Sequence, residues 1–204
     1  MDIVKQPGHE TTDELWGPNE KILKKFVDNE ILPFIKIKSG GHCFDLGEAN
    51  PRMEYIKEWL EWYNITISQI EANDFNFAKL SDGKADYVFA FEVIEHLQNP
   101  LWFMRELMKL TDGSIYVIIP CNSRWLWHEK HFFEMDRDHF EKWILKPLGL
   151  KIVRYKKIIF VASWTVYLIG FRPLFRLLTG KTKLRDFMRS LFYIQWGIYE
   201  IRKN

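Results

Sequence analysis

The stretch that decides the fold is "DYVFAFEVIEHLQNPLWFMRELMKLTDGSIYVIIP", Asp86 to Pro120. Its first six residues form an apolar run of strand length, the kind buried on both faces of a parallel sheet. Asn99 and Pro100 are the residue types of a helix N-cap and first turn. Gly113 marks the end of that helix, and "SIYVIIP" (114–120) is a second buried strand. This order of strand, helix and strand predicts a parallel crossover unit.

A second strand-turn-helix unit lies upstream, at "HCFDLGEANPR" (42–52). Gly47 can take the backbone angles of a tight turn, and Ala49 is small enough for a ligand to lie close to the chain. Asn50 and Pro51 repeat the helix-start signal of the decisive stretch. Open α/β sheets bind ligands beyond the carboxyl ends of their strands. The turn is therefore a candidate binding site, although a full Gly-x-Gly-x-x-Gly loop is absent.

The remaining pattern extends this alternation over the whole chain. Its 204 residues suit one domain, and the alternation predicts a doubly wound, mainly parallel α/β sheet. The last segment alternates like an edge strand. The other predicted helices are 18–31, 51–63 and a helix capped by Asp136 or Asp138 that runs to about Lys146; the other predicted strands are 65–70, 150–158 and 193–203.

The segment "FEVIEHLQNPLWFMREL" (91–107) resembles the class I S-adenosylmethionine-dependent methyltransferases, specifically the small type-11-like group. "CFDLGEANPR" then falls where that family's first cofactor motif, Asp-x-Gly-x-Gly-x-Gly, belongs. The resemblance covers roughly 40–158 and, more loosely, the last strand. It implies a Rossmann-like methyltransferase fold with a seven-strand-type sheet, a last antiparallel strand, and S-adenosyl-L-methionine as cofactor.

In the first motif, the resemblance implies roles for four residues. Asp45 and Gly47 match the family's acid and first glycine and would orient the methionine part of the cofactor. Glu48 and Ala49 belong to the same predicted contact surface. The chain departs from the family here, because Ala49 and Pro51 replace the other two glycines. This departure bears on the affinity for the cofactor more than on its location.

The second half of the cofactor site is implied at the ends of the next two strands. Glu71 lies 24 residues after Gly47 and suits a ribose or adenine contact; Asp74 is the competing choice. The resemblance places Phe91 and Glu92 beside the sulfonium of the cofactor. Glu95 and His96 match the family signature and are also candidates for tying the loop to neighbouring backbone.

The region after Glu71 is shorter than the family pattern. Ala85 lies 14 residues after Glu71, whereas a full crossover needs at least about 10–12 residues before any strand is counted. The sequence therefore predicts a trimmed third-strand region.

Residues 159–190 form an insertion before the last strand. Ile158–Phe171 is an apolar run of fourteen residues, too short to cross a bilayer, which needs about 20. The following residues carry six basic side chains and one acid. Residues 151–204 hold 12 Lys and Arg against 2 Asp and Glu, a net of +10, whereas residues 1–150 hold 17 against 25, a net of −8. The pattern fits either peripheral contact with a membrane surface or a helical lid packed over the sheet.

The segment "WLWHEKHFFEMDRDHF" (125–140) follows the predicted strand 114–120 and overhangs the predicted site. His131 is the candidate general base, with a structural role as the alternative; His128 and Glu134 are within the same segment. The spacing of His128 and His131 lacks further ligands, so the sequence predicts no metal site. Enzymes of the resembling family that methylate planar amino groups carry an Asn/Asp-Pro-Pro-aromatic motif, which is absent here after the predicted strand 86–91. The resemblance therefore disfavours nucleobase amines as acceptors.

The resemblance implies methyl transfer to an oxygen or nitrogen of an acceptor; the insertion points to a small or lipid-linked acceptor, with glycans favoured by the resemblance. The alternatives are a non-catalytic binding or scaffold protein on the same fold, and an RNA-modifying methyltransferase; nucleic acid is the less favoured partner. Cys43 and Cys121 lie in apolar segments and the N-terminus lacks a signal-peptide core. A cytoplasmic location is expected, at the inner membrane surface if the insertion binds lipid. The predicted parts are an arm and helix (1–39), a cofactor-binding core (40–158), the insertion (159–190) and the final strand (191–204).

Overall fold

A computed structural model describes residues 24–47, 51–70, 75, 80, 83–121, 131–160 and 194–204. These residues form a six-stranded sheet with the order β2-β1-β3-β4-β6-β5. The strands are β1 (His42–Leu46), β2 (Thr66–Ile70), β3 (Ala85–Phe91), β4 (Thr111–Pro120), β5 (Leu150–Phe160) and β6 (Ile194–Lys203). Strands β1 to β4 pair in parallel, and β6 runs antiparallel to both of its neighbours. The predicted α/β fold with a last antiparallel strand is confirmed.

Helices cover both faces of this sheet. They are α1 (Pro51–Trp62), α2 (Pro100–Leu110) and α3 (Arg137–Phe140), which continues as a π-helical turn (Glu141–Leu145) and a 3-10 turn (Lys146–Leu148). A further π-helical turn spans Val27–Ile31, and a 3-10 turn spans Ile94–His96. Two of the predicted caps are present: Asn99 Oδ1 accepts from the Trp102 amide at 3.1 Å, and Asp136, the one of the two candidates that caps α3, accepts from the His139 amide at 2.9 Å. The third predicted cap, Asn50, lies outside the described residues.

The core consists of two apolar layers, one on each face. On the first face, α1 contributes Met53, Ile56 and Leu60, whose spacing of three and four residues places them on one side of the helix. On the second face, α2 contributes Phe103, Met104, Leu107 and Leu110. Strand residues such as Phe89 and Val88 point alternately into the two layers, as expected for a sheet buried on both sides.

Two boundary predictions are wrong. The stretch 193–203 was predicted as an edge strand, but β6 lies between β4 and β5, and β5 forms this edge of the described sheet. Gly113 lies within β4 and does not end α2, which stops at Leu110. A Cβ on Gly113 would lie 2.0 Å from the carbonyl oxygen of Asp86, so the glycine permits close approach of two backbones.

Several predicted features lie outside the described residues. These are the N-terminal arm with the start of the first helix (1–23), residues 71–74 and most of the trimmed third-strand region, and residues 161–193. The insertion was predicted to begin at residue 159, whereas β5 continues to Phe160.

Candidate functional site

The candidate site lies at the sheet edge where β1 to β4 have their carboxyl ends. Leu46 at the end of β1 pairs with both Ile70 and Ala90, and Phe91 pairs with Ile118 near the end of β4. The turns that follow β1 and β3 are therefore neighbours. This edge is where open parallel sheets bind ligands.

Gly47 is the first residue after β1, and its backbone requires glycine. Its φ is +131°, in the region that side-chain-bearing residues rarely adopt. A Cβ at this position would lie 3.1 Å from Cγ2 of Val93. The turn after β1 is therefore packed directly against the turn after β3, and a larger residue at position 47 would separate them.

Asp45 lies beneath this turn in a network of polar side chains. Lys57 Nζ of α1 lies 3.3 Å from Asp45 Oδ2, and it also donates to Glu54 Oε1 at 2.9 Å and Gln69 Oε1 at 2.7 Å. The Gln69 amide nitrogen donates to the Gly47 carbonyl oxygen at 3.0 Å. The network thus joins β1, β2 and α1 to the backbone of the turn and fixes its position.

The Asp45 carboxyl is 4% exposed. Burial raises its pKa to about 6, and the attraction of Lys57 offsets only part of that effect. Burial lowers the pKa of Lys57, but its contacts with Glu54 and Asp45 outweigh burial and leave it above the ordinary value. The pKa values of both partners are raised, but for different reasons: Lys57 has several acceptors, whereas burial dominates at Asp45. Asp45 is mainly ionised at pH 7, at an energetic cost to the fold.

Glu92 is the residue after β3 and has a left-handed backbone, with φ of +58°. Its amide donates to the Ile118 carbonyl oxygen at 3.0 Å, which holds the turn onto β4. A non-glycine residue in this conformation is unfavourable, and such positions cluster at ligand sites. Phe91, predicted beside a sulfonium, is 6% exposed and packs edge-on against Phe89 in the core. Its contribution is packing beneath the turn.

Four polar side chains meet beside this turn. Ligand atoms of Glu95, His96 and His131 all lie within 4.8 Å of one another. The rings of His96 and His131 are in edge-to-face contact, with centroids 4.9 Å apart. His131 Nδ1 lies 3.0 Å from Oε1 of Glu134. The predicted His131 therefore stands next to the predicted His96, and a carboxylate orients it.

Backbone contacts hold the two segments of this cluster together. The Phe132 amide donates to the Glu95 carbonyl oxygen at 2.7 Å, and the Phe133 amide lies 3.4 Å from the same oxygen. The entry to α3 is thereby fixed on the turn after β3. A histidine that has one ring nitrogen in contact with a carboxylate, as His131 has, can use its other nitrogen as a general base or as a metal ligand.

The remaining predicted site residues lie outside the described residues: Glu48, Ala49, Glu71, Asp74 and His128. Their contacts stay predictions. The cysteines offer no activated thiolate, because burial raises the pKa of Cys43 to about 12 and that of Cys121 to about 11.

Sequence analysis missed Lys57 and Gln69. Gln69 aligns with Asp45 across two paired strands, and Lys57 lies two turns into α1, so neither belongs to a contiguous motif. The alternation of "ITISQI" could have placed Gln69 on the same sheet edge, but not its bond to Gly47.

A groove of about 560 Å³ lies at the opposite edge of the sheet, lined by Lys38, Lys84, Asp86, Asp112 and Arg202 among others. It lies at the amino ends of β3 and β4, away from Gly47 and Glu92. Because parallel sheets bind ligands at their carboxyl ends, the turns carry the candidate site.

The insertion is attached at the same edge as the site. Phe160 at the end of β5 pairs with Ile194 at the start of β6, and Pro120 pairs with Trp196. The chain therefore leaves and re-enters the sheet next to the carboxyl end of β4. Among the helices that the structure describes, none combines the length and apolarity needed to cross a membrane.

No family model matches the chain, and no curated protein sequence matches it. Solved structures do match. A chain from the complex between the Haloferax volcanii Trm112 methyltransferase activator and a predicted methyltransferase has a TM-score of 0.60 at 12% identity, over 96% of this chain and 98% of that chain. Haemonchus contortus phosphoethanolamine N-methyltransferase 2, in complex with phosphomonomethylethanolamine and S-adenosylhomocysteine, has a TM-score of 0.54 at 11% identity, over 97% of this chain and 59% of that chain.

A third match, the [4+2]-cyclase SpnF, has a TM-score of 0.50 at 10% identity, over 90% of this chain and 80% of that chain. The chain thus has the Rossmann-like fold of the class I S-adenosylmethionine-dependent methyltransferases, as the sequence predicted. At these identities the likeness establishes the fold, and the chemistry must be argued from the site.

Proposed function

We propose that this protein transfers a methyl group from S-adenosyl-L-methionine to an oxygen or nitrogen of a small or lipid-linked acceptor. The observation that carries the proposal is the pair of contacting turns at the carboxyl edge, one with Gly47 at φ +131° and one with Glu92 at φ +58°. Both unusual conformations occur on a methyltransferase fold, at the edge where ligands bind. A solved neighbour that is an N-methyltransferase holds S-adenosylhomocysteine on the same fold.

The geometry of the two turns supports three of the predicted cofactor contacts. Gly47 lets the chain pass close to the ligand, Asp45 supplies a buried carboxylate beneath it, and Glu92 offers a second carboxylate from the neighbouring turn. The cofactor, when bound, supplies an electrophilic methyl group. The chain's main task is then to bring the acceptor atom into line with that group.

His131 is the proposed proton acceptor if the acceptor atom must lose a proton. Glu134 lies 3.0 Å from Nδ1, and its side chain is 3% exposed against 16% for His131. A buried carboxylate that contacts one ring nitrogen fixes the tautomer and directs the other nitrogen to the substrate, the arrangement expected of a positioned general base.

The proposed acceptor class rests on what flanks the site. The insertion is attached at the carboxyl edge, and it is apolar, then basic, in sequence. Lipid-linked glycans combine an apolar chain with anionic groups. The apolar part of the insertion suits the apolar chain, and its basic part suits the anionic groups. Sedimentation with anionic liposomes and with RNA, for the intact chain and for a variant lacking the insertion, separates the lipid-linked from the RNA hypothesis.

A second candidate is a non-methylating role on the same fold. Two observations favour it: two family glycines are replaced in the first turn, and the cyclase SpnF shares the architecture. Under this hypothesis the turn would bind a ligand but no methyl group would be transferred. Asp45→Ala would then cause no loss of any activity that the chain has.

The direct test of the proposal is native mass spectrometry of protein purified without added ligand, followed by incubation with methyl-labelled S-adenosylmethionine and extracts of membrane lipids and glycans. The proposal expects retained cofactor or its demethylated product, and label in an extract component. Bound cofactor without any labelled product would favour the second candidate.

A further inference from the structure

We propose that Glu95, His96 and His131 form a binding site for one divalent transition-metal ion. Sequence spacing indicated no such site, because the ligands come from two segments 35 residues apart. The fold joins these segments through the bond from the Phe132 amide to the Glu95 carbonyl oxygen. The site therefore exists only in the folded chain.

The positions of the donor atoms suit a single ion. The ligand atoms of the three residues lie within 4.8 Å of one another. Donors at about 2.1 Å from a tetrahedral ion lie about 3.4 Å apart, so side-chain movements of about 1 Å would complete the site. The edge-to-face contact of the two rings, 4.9 Å between centroids, keeps both imidazoles at this point.

Glu134 has the position of a carboxylate that orients a metal-bound histidine. It contacts His131 through Nδ1 at 3.0 Å, so we assign Nε2 as the ligand atom. Histidine ligands characteristically donate their second ring nitrogen to a carboxylate in this way.

The local charge favours a cation. Glu95 is 1% exposed and the Glu134 side chain 3% exposed. The cluster thus contains two carboxyl groups, whose oxygens attract a cation. Burying carboxylates is costly unless cations or metal ions compensate.

The donor set indicates the class of ion. Two imidazoles and one carboxylate suit Zn²⁺, Co²⁺, Mn²⁺ or Fe²⁺ better than Mg²⁺ or Ca²⁺, which prefer oxygen ligands. Three protein ligands leave a coordination position open, as in catalytic rather than structural zinc sites.

A role for this open position rests on the proposed function. An acceptor hydroxyl bound there would be polarised by the ion and lose its proton more readily. His131 would then act as a ligand instead of a general base, because Nε2 cannot serve both purposes. Metal binding itself does not depend on methyl transfer.

The test is a calorimetric titration of tag-free, chelator-treated protein with Zn²⁺, and a parallel titration with Co²⁺ followed by visible absorption. We expect one ion per chain. His96→Ala and His131→Ala should weaken binding more than about 100-fold, and Glu134→Gln by about 10–100-fold. Circular dichroism checks that each alanine variant is folded. If one is not, Glu95→Gln, which is nearly isosteric, tests whether loss of the Glu95 carboxylate weakens metal binding.

His139→Ala is the matched control. His139 also contacts a carboxylate, Asp136 Oδ1 at 2.8 Å, but its side chain is 64% exposed, so the variant should bind the ion as wild type does. Absence of a one-to-one complex, or equal affinity in wild type and His96→Ala, overturns the assignment. A titration with S-adenosylhomocysteine on the same samples separates this outcome from failure of the proposed function.

Discussion

At the scale of single residues, burial of the Asp45 carboxyl costs stability, and the proposed function assigns the same carboxyl to cofactor binding. Its pKa is raised to about 6 by burial, which Lys57 offsets only in part. A carboxyl whose folded pKa exceeds its unfolded value loses stabilisation as pH rises from about 4 to 6. Above pH 6, ionisation of Asp45 therefore lowers the stability of the ligand-free protein by up to about 3 kcal/mol. A ligand that contacts the carboxylate would recover part of this loss.

Asp45→Asn should consequently raise the melting temperature at pH 7.5 while weakening S-adenosylhomocysteine binding at least about tenfold. A gain of about 1–3 kcal/mol corresponds to several degrees for a chain of this size. Thermal melts at pH 7.5 and pH 4 check the cause, because the gain should shrink at pH 4, where the wild-type carboxyl is neutral.

Asp112→Asn is the control for this comparison. Asp112 is exposed, and hydrogen bonds from Lys203 and Lys84 lower its pKa to about 2. Its neutralisation should not raise the melting temperature. Equal stabilisation by both variants would contradict the explanation from burial.

Glu92 and Asn64 allow a second residue-scale prediction. Both have left-handed backbones, with φ of +58° and +54°, but Asn64 lies in the turn after α1, at the other edge of the sheet. Glycine relieves this conformation, so Glu92→Gly and Asn64→Gly should each keep or slightly raise the melting temperature. Only Glu92→Gly should weaken S-adenosylhomocysteine binding, by about tenfold or more, in calorimetry. Equal binding by the two variants would remove Glu92 from the site.

Residue-scale prediction from the sequence succeeded where a motif is contiguous. Gly47 could be predicted because the strand and helix around it are clearly marked. Lys57 and Gln69 could not, because their approach to the turn depends on the register of β1 with β2 and on the docking of α1. The contact between His96 and His131 likewise depends on how the chain before α3 folds back.

At the scale of elements, a buried ion network joins three strands. Glu200 of β6 is 1% exposed, contacts Arg154 of β5, and accepts from Ser114 Oγ of β4 at 2.9 Å and from Arg202 at 2.8 Å. Burial raises its pKa, but hydrogen bonds from Arg154 and Ser114 outweigh burial and leave it lowered. Its stabilising contribution is present at neutral pH and is lost as pH falls through the lowered pKa.

Glu200→Gln should therefore lower the free energy of unfolding at pH 7 by about 1–3 kcal/mol, measured by urea denaturation. The difference from wild type should diminish in acid. Glu141→Gln is the control: its ion pair with Lys146 is 3.9 Å long with partly exposed side chains, and such pairs contribute little. A Glu200→Gln protein as stable as wild type would show that the network contributes nothing net.

The network also explains why β6 was mistaken for an edge strand. Glu200 and Arg202 give the sequence a polar alternation typical of an exposed strand. In the structure, β5 pairs with β6 along the edge that was predicted to be exposed, and Arg154 of β5 donates to the Glu200 carboxylate. The types of the six strands and of α1 and α2 were predictable from apolar periodicity and helix caps, whereas the 3-10 turn (Ile94–His96) and the π-helical turns (Val27–Ile31 and Glu141–Leu145) were not.

At the scale of the whole molecule, the insertion and the site share one edge of the sheet. Phe160 and Ile194 are paired neighbours, so a two-residue Asn-Gly turn can replace 161–193. The shortened chain should keep its fold by circular dichroism and bind S-adenosylhomocysteine as the intact chain does, but no longer sediment with anionic liposomes. Unchanged sedimentation would assign lipid contact to another surface.

The charge distribution of the intact chain also predicts binding to anionic lipid. Residues 151–204 carry a net charge of +10 and residues 1–150 a net of −8. Attraction to anionic lipid at this end should fall steeply with salt. Sequence composition alone predicted this asymmetry, whereas the shared edge required strand order and register.

The measurement that tests the central claim most directly is a calorimetric titration of the intact, folded chain with S-adenosylhomocysteine, with Gly47→Val in parallel. The account predicts one site with a low-micromolar dissociation constant, about −8 kcal/mol. It also predicts loss of binding in Gly47→Val, because a side chain at position 47 meets Val93 and opposes the φ of +131°. No binding by correctly folded wild-type protein, or equal binding by Gly47→Val, would contradict it.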